Sequence, residues 1–561
     1  MSQLFNFYKV LLFALISAQG VLAQNECLKK DPSVPLCPSS GSTLLDDTYP
    51  VKSYVISTSR GESTVDKGGV DIGMEVSVDF ISKVMNSYAN TPEQPEIVVP
   101  TDEGSYNELV KRLKEKFQKE GMDDEKIQTK INQIKHADVK EYTWQQDFFE
   151  SFVDPATGTP SLRPIASYDE KLKEKTGKGV VDYTKSISQS LNCVESGNFL
   201  RSNTLSGMKQ GTYTEALVEE SKGGSSYKKN MMQNASWWGG EMGGNIEGLP
   251  GGLCLKGNNQ SQKFAQQYCG SVDNMVEVDV GWLSVGHADE VIKVVPVFPK
   301  SQPEECSFTI WLASPTKALE VMKDPNYAKR SFVEEDSDDS TDFNDIYLHV
   351  KKTGICDLLK SYDPSGSNQG GDSGSSVIEA YIKRVIDNLK MDAHAADTSK
   401  ISCKAKLRNI TNGDMARLIE SDPDYSLTNK LVQEKMNNTK EEMKKKLAAR
   451  LPQCKEIKFL DVPDLFYNKT FAEINGEKVL PQPGVAGSLF QNPTNSVLAN
   501  KTMIISETPN FGFNDYMKKL TQKQGIKAEY VDTWNFAHIS DGNMHCSSHS
   551  LPYCRPREQG Q

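Results

Sequence analysis

Short apolar runs that give way at once to helical patterns recur along this chain, and they constrain its fold more than any other feature. "PEIVVPT" (95–101) precedes "YNELVKRLKEKFQKEG", "SFTIWLAS" (307–314) precedes "PTKALEVMK", and "TMIIS" (502–506) precedes "FNDYMKKLTQKQG". An apolar run too short for a buried helix, followed by apolar residues at three- and four-residue steps, reads as a strand feeding a helix. The rhythm predicts an α/β architecture, and by itself it fits a doubly wound sheet as well as other arrangements of that class. A further segment, "SSVIEAYIKRVIDNLKM", carries Ile378, Tyr381, Ile382, Val385 and Leu389 at helical steps, as expected of one buried face packing on a core. No internal sequence repeat is evident.

The chain of 561 residues opens with "MSQLFNFYKVLLFALISAQGVLAQ". One Lys, an apolar run of about a dozen residues, and Val21 and Ala23 at small positions describe a signal peptide over 1–23. Residues 24–75 are polar, contain Cys27 and Cys37 and show little periodicity; they read as an extended lead-in to a domain over 76–561. No later segment reaches about 18 uncharged apolar residues, so no membrane span is expected. N-x-S/T sequons stand at Asn234, Asn259, Asn409, Asn437, Asn468 and Asn500, and with the leader they point to a secreted, extracellular glycoprotein. The 75 acidic and 64 basic residues give a formal charge of −11, which argues against a nucleic-acid partner and fits cationic ones. Two polar stretches, "VEEDSDDSTDFND" (333–345) and "DPSGSNQGGDSGSS" (363–376), read as exposed loops. The acidic one lacks the ligand spacing of an EF-hand.

Cysteines of a secreted chain usually pair, and the number here, 11, is odd. One thiol is left over. If it is Cys546, the other ten can form five pairs whose connectivity cannot be read from sequence; a Cys546 to Cys554 disulfide is the structural alternative. A zinc site from His538, His545, Cys546, His549 and Cys554 is a further alternative, although the spacing matches no common zinc pattern.

Three separated stretches can carry chemistry. "YTWQQDFFES" sets Asp147 among aromatics, "GWLSVGHADEVIKVVP" sets His287 and Asp289 two residues apart before an apolar run, and "GNMHCSSHS" supplies Cys546. Each alone is weak. Together they hold a thiol, an imidazole and two carboxylates, the groups needed to hydrolyse a guanidinium. Carboxylates grip the planar cation through charge-assisted bonds, a thiolate attacks its carbon, and an imidazole moves the protons.

These motifs, W-x-Q-D-x-x-E, W-L-S-V-G-H-x-D-E and D-x-W-x-x-x-H-x-x-x-G-x-x-H-C, with "GGNIE" (243–247) between the first two, resemble the catalytic domain of the protein-arginine deiminases. The resemblance runs from roughly residue 75 to residue 555 and leaves no room for the family's immunoglobulin-like N-terminal domains. It implies a pentein, a five-bladed α/β propeller with the active site at its centre. It implies Cys546 as nucleophile, His287 as general acid and base, Asp147 and Asp289 as guanidinium-binding carboxylates, and Trp144 along the substrate's aliphatic stem. It also implies calcium (Ca2+), with side chains of Gln146, Glu150 and Glu247 and backbone carbonyls of Gly243 and Ile246 as ligands. All are oxygen donors, as a hard cation requires. A neighbouring family site has a carboxylate where this chain has Phe148, so one retained site and at least one lost are expected. The family's backbone-binding arginines fall at Ser540 and in "IASYDEKLKE", which has none, with Arg163 as the nearby substitute.

The chain is therefore expected to be a secreted, calcium-dependent hydrolase that turns arginine residues of proteins or peptides into citrulline. A pentein deiminase or amidinotransferase acting on free arginine or another small guanidine is the second enzyme reading. An inactive glycoprotein that binds cationic ligands is the non-enzyme one. A free thiol in an oxidising compartment predicts activity that depends on a reductant.

Overall fold

The computed structural model describes residues 34–38, 44–58, 72–91, 94–140, 142–147, 149–155, 157–165, 169–191, 194, 242–260, 262–300, 304–334, 343–360, 402–468, 472–474, 477–479, 486–538 and 542–557. Residues 1–23, expected to be a signal peptide, Cys27, Cys193, Asn234, Phe148, Ser540, most of the acidic 333–345 stretch, the 363–376 stretch and the segment carrying Ile378 lie outside the described residues.

The strand-then-helix reading holds in all three places, and a capping side chain marks each junction. Strand β2 (Glu96–Thr101) runs into Asp102, whose carboxylate accepts from the backbone N–H groups of Gly104 and Ser105 and opens the helix Glu103–Lys119. Strand β10 (Phe308–Ser314) ends on Ser314, which caps Lys317 N above Pro315 at the first helical position. Strand β17 (Thr502–Ser506) leads to Asn510, which caps the helix Phe511–Lys523. Each cap satisfies N–H groups that have no partner within the helix and contributes about 1 kcal/mol. All residues of the three strands are buried, which explains runs that are apolar throughout and not alternating.

The strands group into small sheets; among the described residues four share a plan, an antiparallel pair extended by a parallel strand, and a fifth shows the antiparallel pair alone. In the first, β1 (Val51–Ile56) pairs antiparallel with β19 (Ser548–Pro552) and parallel with β2, which pairs parallel with β3 (Ile134–Asp138). The second holds the antiparallel pair β4 (Phe149–Val153) and β5 (Pro160–Pro164), followed by helices Asp169–Thr176 and Val180–Gln189. In the third, β6 (Ile246–Leu249) is antiparallel to β7 (Leu253–Gly257), and the helix Gln262–Cys269 leads to β8 (Met275–Val278), parallel to β7. The fourth repeats this with β9 (Ile292–Pro296), β10 and the parallel β11 (Lys458–Pro463). The fifth repeats it with β16 (Val497–Ala499), β17 and the parallel β18 (Lys527–Val531). Two minor pairs, β12 (Phe466–Asn468) with β15 (Ala486–Ser488) and β13 (Ala472–Ile474) with β14 (Glu477–Val479), lie between the fourth and fifth.

The architecture is thus mixed α/β, with the repeat in topology and not in sequence. Strand β1 comes from the stretch expected to be a polar lead-in, and its pairing with β19 joins the two ends of the described chain in one sheet. The disulfide Cys37–Cys554 clips the same two ends. The apolar core is divided accordingly. Phe80, Leu109, Leu113 and Phe117 pack around β2, Val432, Met436, Met443 and Leu447 of the long helix Pro423–Arg450 pack on β10, and other clusters lie under the remaining sheets. Leu109, Leu113 and Phe117 fall at four-residue steps on one helix face; burial of such side chains stabilises by about 1.5–3 kcal/mol each.

Cys254–Cys269, Cys306–Cys454 and Cys356–Cys403 are the other described disulfides. Cys546 is the free cysteine among the described residues, and because Cys554 is bonded to Cys37 the Cys546 to Cys554 alternative is excluded. No described helix is long and apolar enough to cross a membrane.

Candidate active site

The segments singled out in sequence, and one that was not, arrive at one place by one device. Each lies at, or just ahead of, the first strand of a sheet. The turn Gln145–Asp147 precedes β4, Gly243–Asn245 precedes β6, Ala288–Glu290 precedes β9, residues 492–495 precede β16, and residues 545–546 precede β19. Topologically equivalent corners of five sheets therefore meet.

Asp147, His287, Asp289 and Cys546 are all buried there. His287 Nδ1 stands 4.0 Å from Asp147 Oδ1, and Cys546 Sγ stands 3.9 Å from Asp289 Oδ2. Gly244 lies between the two pairs. A Cβ at that position would fall 2.6 Å from His287 Nδ1 and 3.2 Å from Asp289 Oδ1, so only a residue without a side chain fits. Neither ring nitrogen of His287 makes a hydrogen bond, nor does Asp289 Oδ1. Buried polar atoms without partners are rare, and a cluster of them is poised for a ligand.

Cross-bracing holds the corners in register. Asn245 Nδ2 donates to Asn259 Oδ1 at 2.7 Å, and Asn259 Nδ2 donates to Gly286 O at 3.0 Å, one residue before His287. Gly286 takes φ +82°, the left-handed turn that lets the chain present His287. His287 N donates to Glu290 Oε1 at 3.0 Å, and Thr494 Oγ1 donates to Glu290 O at 2.7 Å. Asn495 joins three groups: its Nδ2 donates to Asp289 Oδ2 at 2.9 Å and to Cys546 Sγ at 3.2 Å, and its Oδ1 accepts from Cys546 N at 3.2 Å.

Burial, and then the negative charge of Asp289, push the Cys546 thiol well above its ordinary range. Glu290 and Asp147 add to the effect of Asp289, so a cation brought beside the sulfur would favour the thiolate. Trp144 flanks the site half-buried. Its indole lies against Gly542, where a Cβ would come within 2.2 Å of Cζ3. Arg163 is placed with its guanidinium over the rings of Phe152 and Tyr268, at 5.2 and 5.4 Å from their centroids.

Next to Asp289 a cavity of about 40 Å³ is lined by Gln146, Glu150, Glu247, Asp289, His545 and His549, among others. Gln146 Nε2 lies 3.4 Å from Glu150 Oε1 and 3.3 Å from Glu247 Oε1, so the three expected calcium side chains converge. Gly243 backs directly onto them, since a Cβ there would fall 2.6 Å from Glu150 Oε1. Ile246 opens β6 and donates its N–H to Gly243 O. Burial, then the charge of Glu247, raises Glu150 well above the carboxylate range; burial, with Asp289 and Asp47 adding and His545 and Lys293 opposing, raises Glu247 to about 8. Gln146 turns its Nε2 to the two carboxylates and its Oε1 to His549 Nδ1. The two buried carboxylates suit a hard divalent cation, whose charge offsets the cost of ionising them together, and Gln146 would join them as an oxygen donor only with its amide turned over.

The zinc alternative is not assembled. Cys554 is consumed in its disulfide, and His538 packs on Trp534 and His349 with ring centroids 4.9 and 5.0 Å away. Sequence reasoning missed Asn495, His545 as a partner of Asp289, and Gly244. Residues 491–496, "QNPTNS", are polar or turn-forming throughout, yet Gln491, Asn492, Thr494, Asn495 and Ser496 are buried. The glycine of "GGNIE" was the one available signal for close approach.

A search of curated proteins finds no match. Among solved structures the chain is similar to an agmatine deiminase of C. jejuni, at 10% identity and TM-score 0.36, over 92% of this chain and 97% of that one. It is similar also to an agmatine deiminase of Enterococcus faecalis, at 10% identity and TM-score 0.38, over 94% of this chain and 100% of that one. The sequence profile of the protein-arginine deiminases matches residues 250–554, a span that holds His287, Asp289, Asn495 and Cys546. With that match covering more than half of its length, the chain belongs to the protein-arginine deiminase family.

Proposed function

We propose that this protein converts arginine residues of proteins or peptides to citrulline and ammonia, outside the cell and with calcium bound. Membership of the family supports deimination of a guanidine group, a hydrolysis at an amidine C–N bond. The observation that carries the mechanism is a free, buried Cys546 held by Asn495 beside Asp289. Asp289 and Asp147 take the guanidinium by hydrogen bonds to its N–H groups, which also brings the missing positive charge to the thiol. Sγ attacks the guanidinium carbon while its proton passes to His287, and His287 delivers that proton to the departing nitrogen, which leaves as ammonia. Water then adds to the thiouronium carbon with His287 as base, the C–S bond breaks, and citrulline and the thiol are released.

Gln146, Glu150 and Glu247, with the carbonyls of Gly243 and Ile246, would hold the calcium, which supplies fixed positive charge beside Asp289. Four sheets of one plan and a fifth antiparallel pair, with the site where their corners meet and β19 pairing with β1, support a five-bladed pentein propeller. The leader and four described disulfides support secretion.

A small guanidine such as free arginine is the second reading. It is favoured by the placement of Arg163 over two aromatic rings, where the family would offer an arginine to the substrate's backbone. The test measures citrulline from a blocked arginine amide and from free arginine, in reductant, with calcium and with chelator, beside Cys546→Ala. Calcium-dependent product from the amide, absent in the variant, supports the proposal. Product from free arginine alone moves the substrate to the small-guanidine class, and no product from either leaves the ligand-binding scaffold or an unusual guanidine.

A further inference from the structure

The geometry points to His545 as a positioning residue that couples the cation pocket to guanidinium binding, an inference that rests on the deiminase reading. The imidazole is 12% exposed, and its Nδ1 lies 2.9 Å from Asp289 Oδ2. Asn495 Nδ2 reaches the same oxygen, also at 2.9 Å, from a different sheet corner. Asp289 is thus clamped through Oδ2 by two donors, while Oδ1 is buried without a hydrogen-bond partner. A carboxylate fixed by one oxygen with the other open is prepared to accept an N–H of a guanidinium.

His545 has a second neighbour. Ligand-type atoms of Glu247, Asp289 and His545 all lie within 4.8 Å of one another. Glu247 in turn shares the amide of Gln146 with Glu150. One imidazole therefore stands between a carboxylate of the cation pocket and the carboxylate that meets the substrate. Without a cation, Glu247 and Asp289 both draw on it. A divalent cation that takes up the charge of Glu247 leaves His545 to Asp289 alone, which fixes the clamp. The coupling is a free energy between two sites, so calcium must improve guanidinium affinity by the factor by which the guanidinium improves calcium affinity.

The test is equilibrium binding by calorimetry of a blocked arginine amide to the full-length Cys546→Ala protein, with calcium and with chelator, alone and combined with His545→Ala or His545→Gln. Circular dichroism checks that each variant is folded. In the parent, calcium should tighten amide binding about tenfold or more, within the usual range of such couplings, and the amide should tighten calcium binding equally. In the His545→Ala background both factors should fall to within about twofold of one, with calcium itself still bound. In the protein that keeps Cys546, His545→Ala should raise KM more than it lowers kcat, and His545→Gln should recover part of the loss, because the amide can still donate to Asp289. An unchanged calcium factor in both His545 variants overturns the inference. Calcium-independent amide binding by the parent overturns it while leaving the deiminase reading intact; no amide binding under any condition overturns it together with the peptide substrate, and free arginine titrated in the same way then separates a small-guanidine deiminase from a scaffold without turnover.

Discussion

Asn495 Nδ2 lies 3.2 Å from Cys546 Sγ and 2.9 Å from Asp289 Oδ2, so one buried amide ties the free thiol to a carboxylate that lies 257 residues from it in the sequence. Its Oδ1 accepts from the backbone of Cys546 as well. Asn495→Ala removes a donor to the sulfur and leaves Cys546 N without its acceptor. Losing one preorganised donor to a reacting atom costs about 10²-fold in kcat. Asn495→Asp keeps the acceptor but sets a carboxylate beside Sγ, and should be slower still. Steady-state kcat checks both, and near-normal turnover in Asn495→Ala would reduce the residue to packing.

Gly244→Ala should inactivate with little unfolding. Its Cβ would press on His287 Nδ1 at 2.6 Å and on Asp289 Oδ1 at 3.2 Å. The overpacking costs about 1–3 kcal/mol of stability, small for a chain of this size, but it displaces an imidazole and the open oxygen together. Expected is a fall in kcat/KM of about 10²-fold or more, since misplacing a catalytic group by about an ångström has that effect. Retained activity would show that the two pairs do not act jointly.

Asp46 makes stability depend on pH. Burial raises it from its ordinary 3.8 to about 6, against opposing hydrogen bonds from Thr48. Between those values the folded chain holds a proton that the unfolded chain has lost, so stability falls as pH rises through about 4 to 6 and the loss is complete above it. Two units correspond to about 3 kcal/mol as an upper bound. Asp46→Asn should therefore raise the melting temperature at pH 8 in chelator and leave it nearly unchanged at pH 4. An equal gain at both would assign the effect to packing.

Removing the Cys37–Cys554 disulfide should weaken the site as well as the fold. Cys554 follows β19, and β19 begins two residues after Cys546. Cys37→Ser with Cys554→Ser should cost about 2–4 kcal/mol, seen as a lower melting temperature, and should reduce turnover below that midpoint. Turnover equal to the parent's would show that pairing of β1 with β19 suffices.

Secretion predicts glycans that follow exposure. Asn437 is exposed on the helix Pro423–Arg450. Asn409 is buried with its Nδ2 donating to Ala405 O at 2.7 Å, and Asn259 is tied to Gly286 and Asn245 beside His287. Peptide mass spectrometry of protein from a secretory host should find a glycan at Asn437 and none at Asn259 or Asn409. Occupancy at Asn259 would contradict the bracing of His287.

What the sequence by itself determined was local chemistry. The strands before Asp102, Ser314 and Asn510 were legible because β runs, caps and helical steps depend on residues within a few positions of one another. An odd number of cysteines marked a free thiol, and the spacing of Trp144 to Glu150, His287 to Glu290 and His545 to Cys546 marked the reactive groups. Only the tertiary structure decided that Asn495 touches the sulfur, that His545 belongs to Asp289, and that Gly244 separates the two pairs. Those contacts join corners of different sheets, and a polar residue such as Asn495 carries no local sign of whether its hydrogen bonds go to water or to a buried partner. The plan common to four of the sheets was hidden for the same reason: topology repeats through strand pairing, which any apolar residues of β shape can supply.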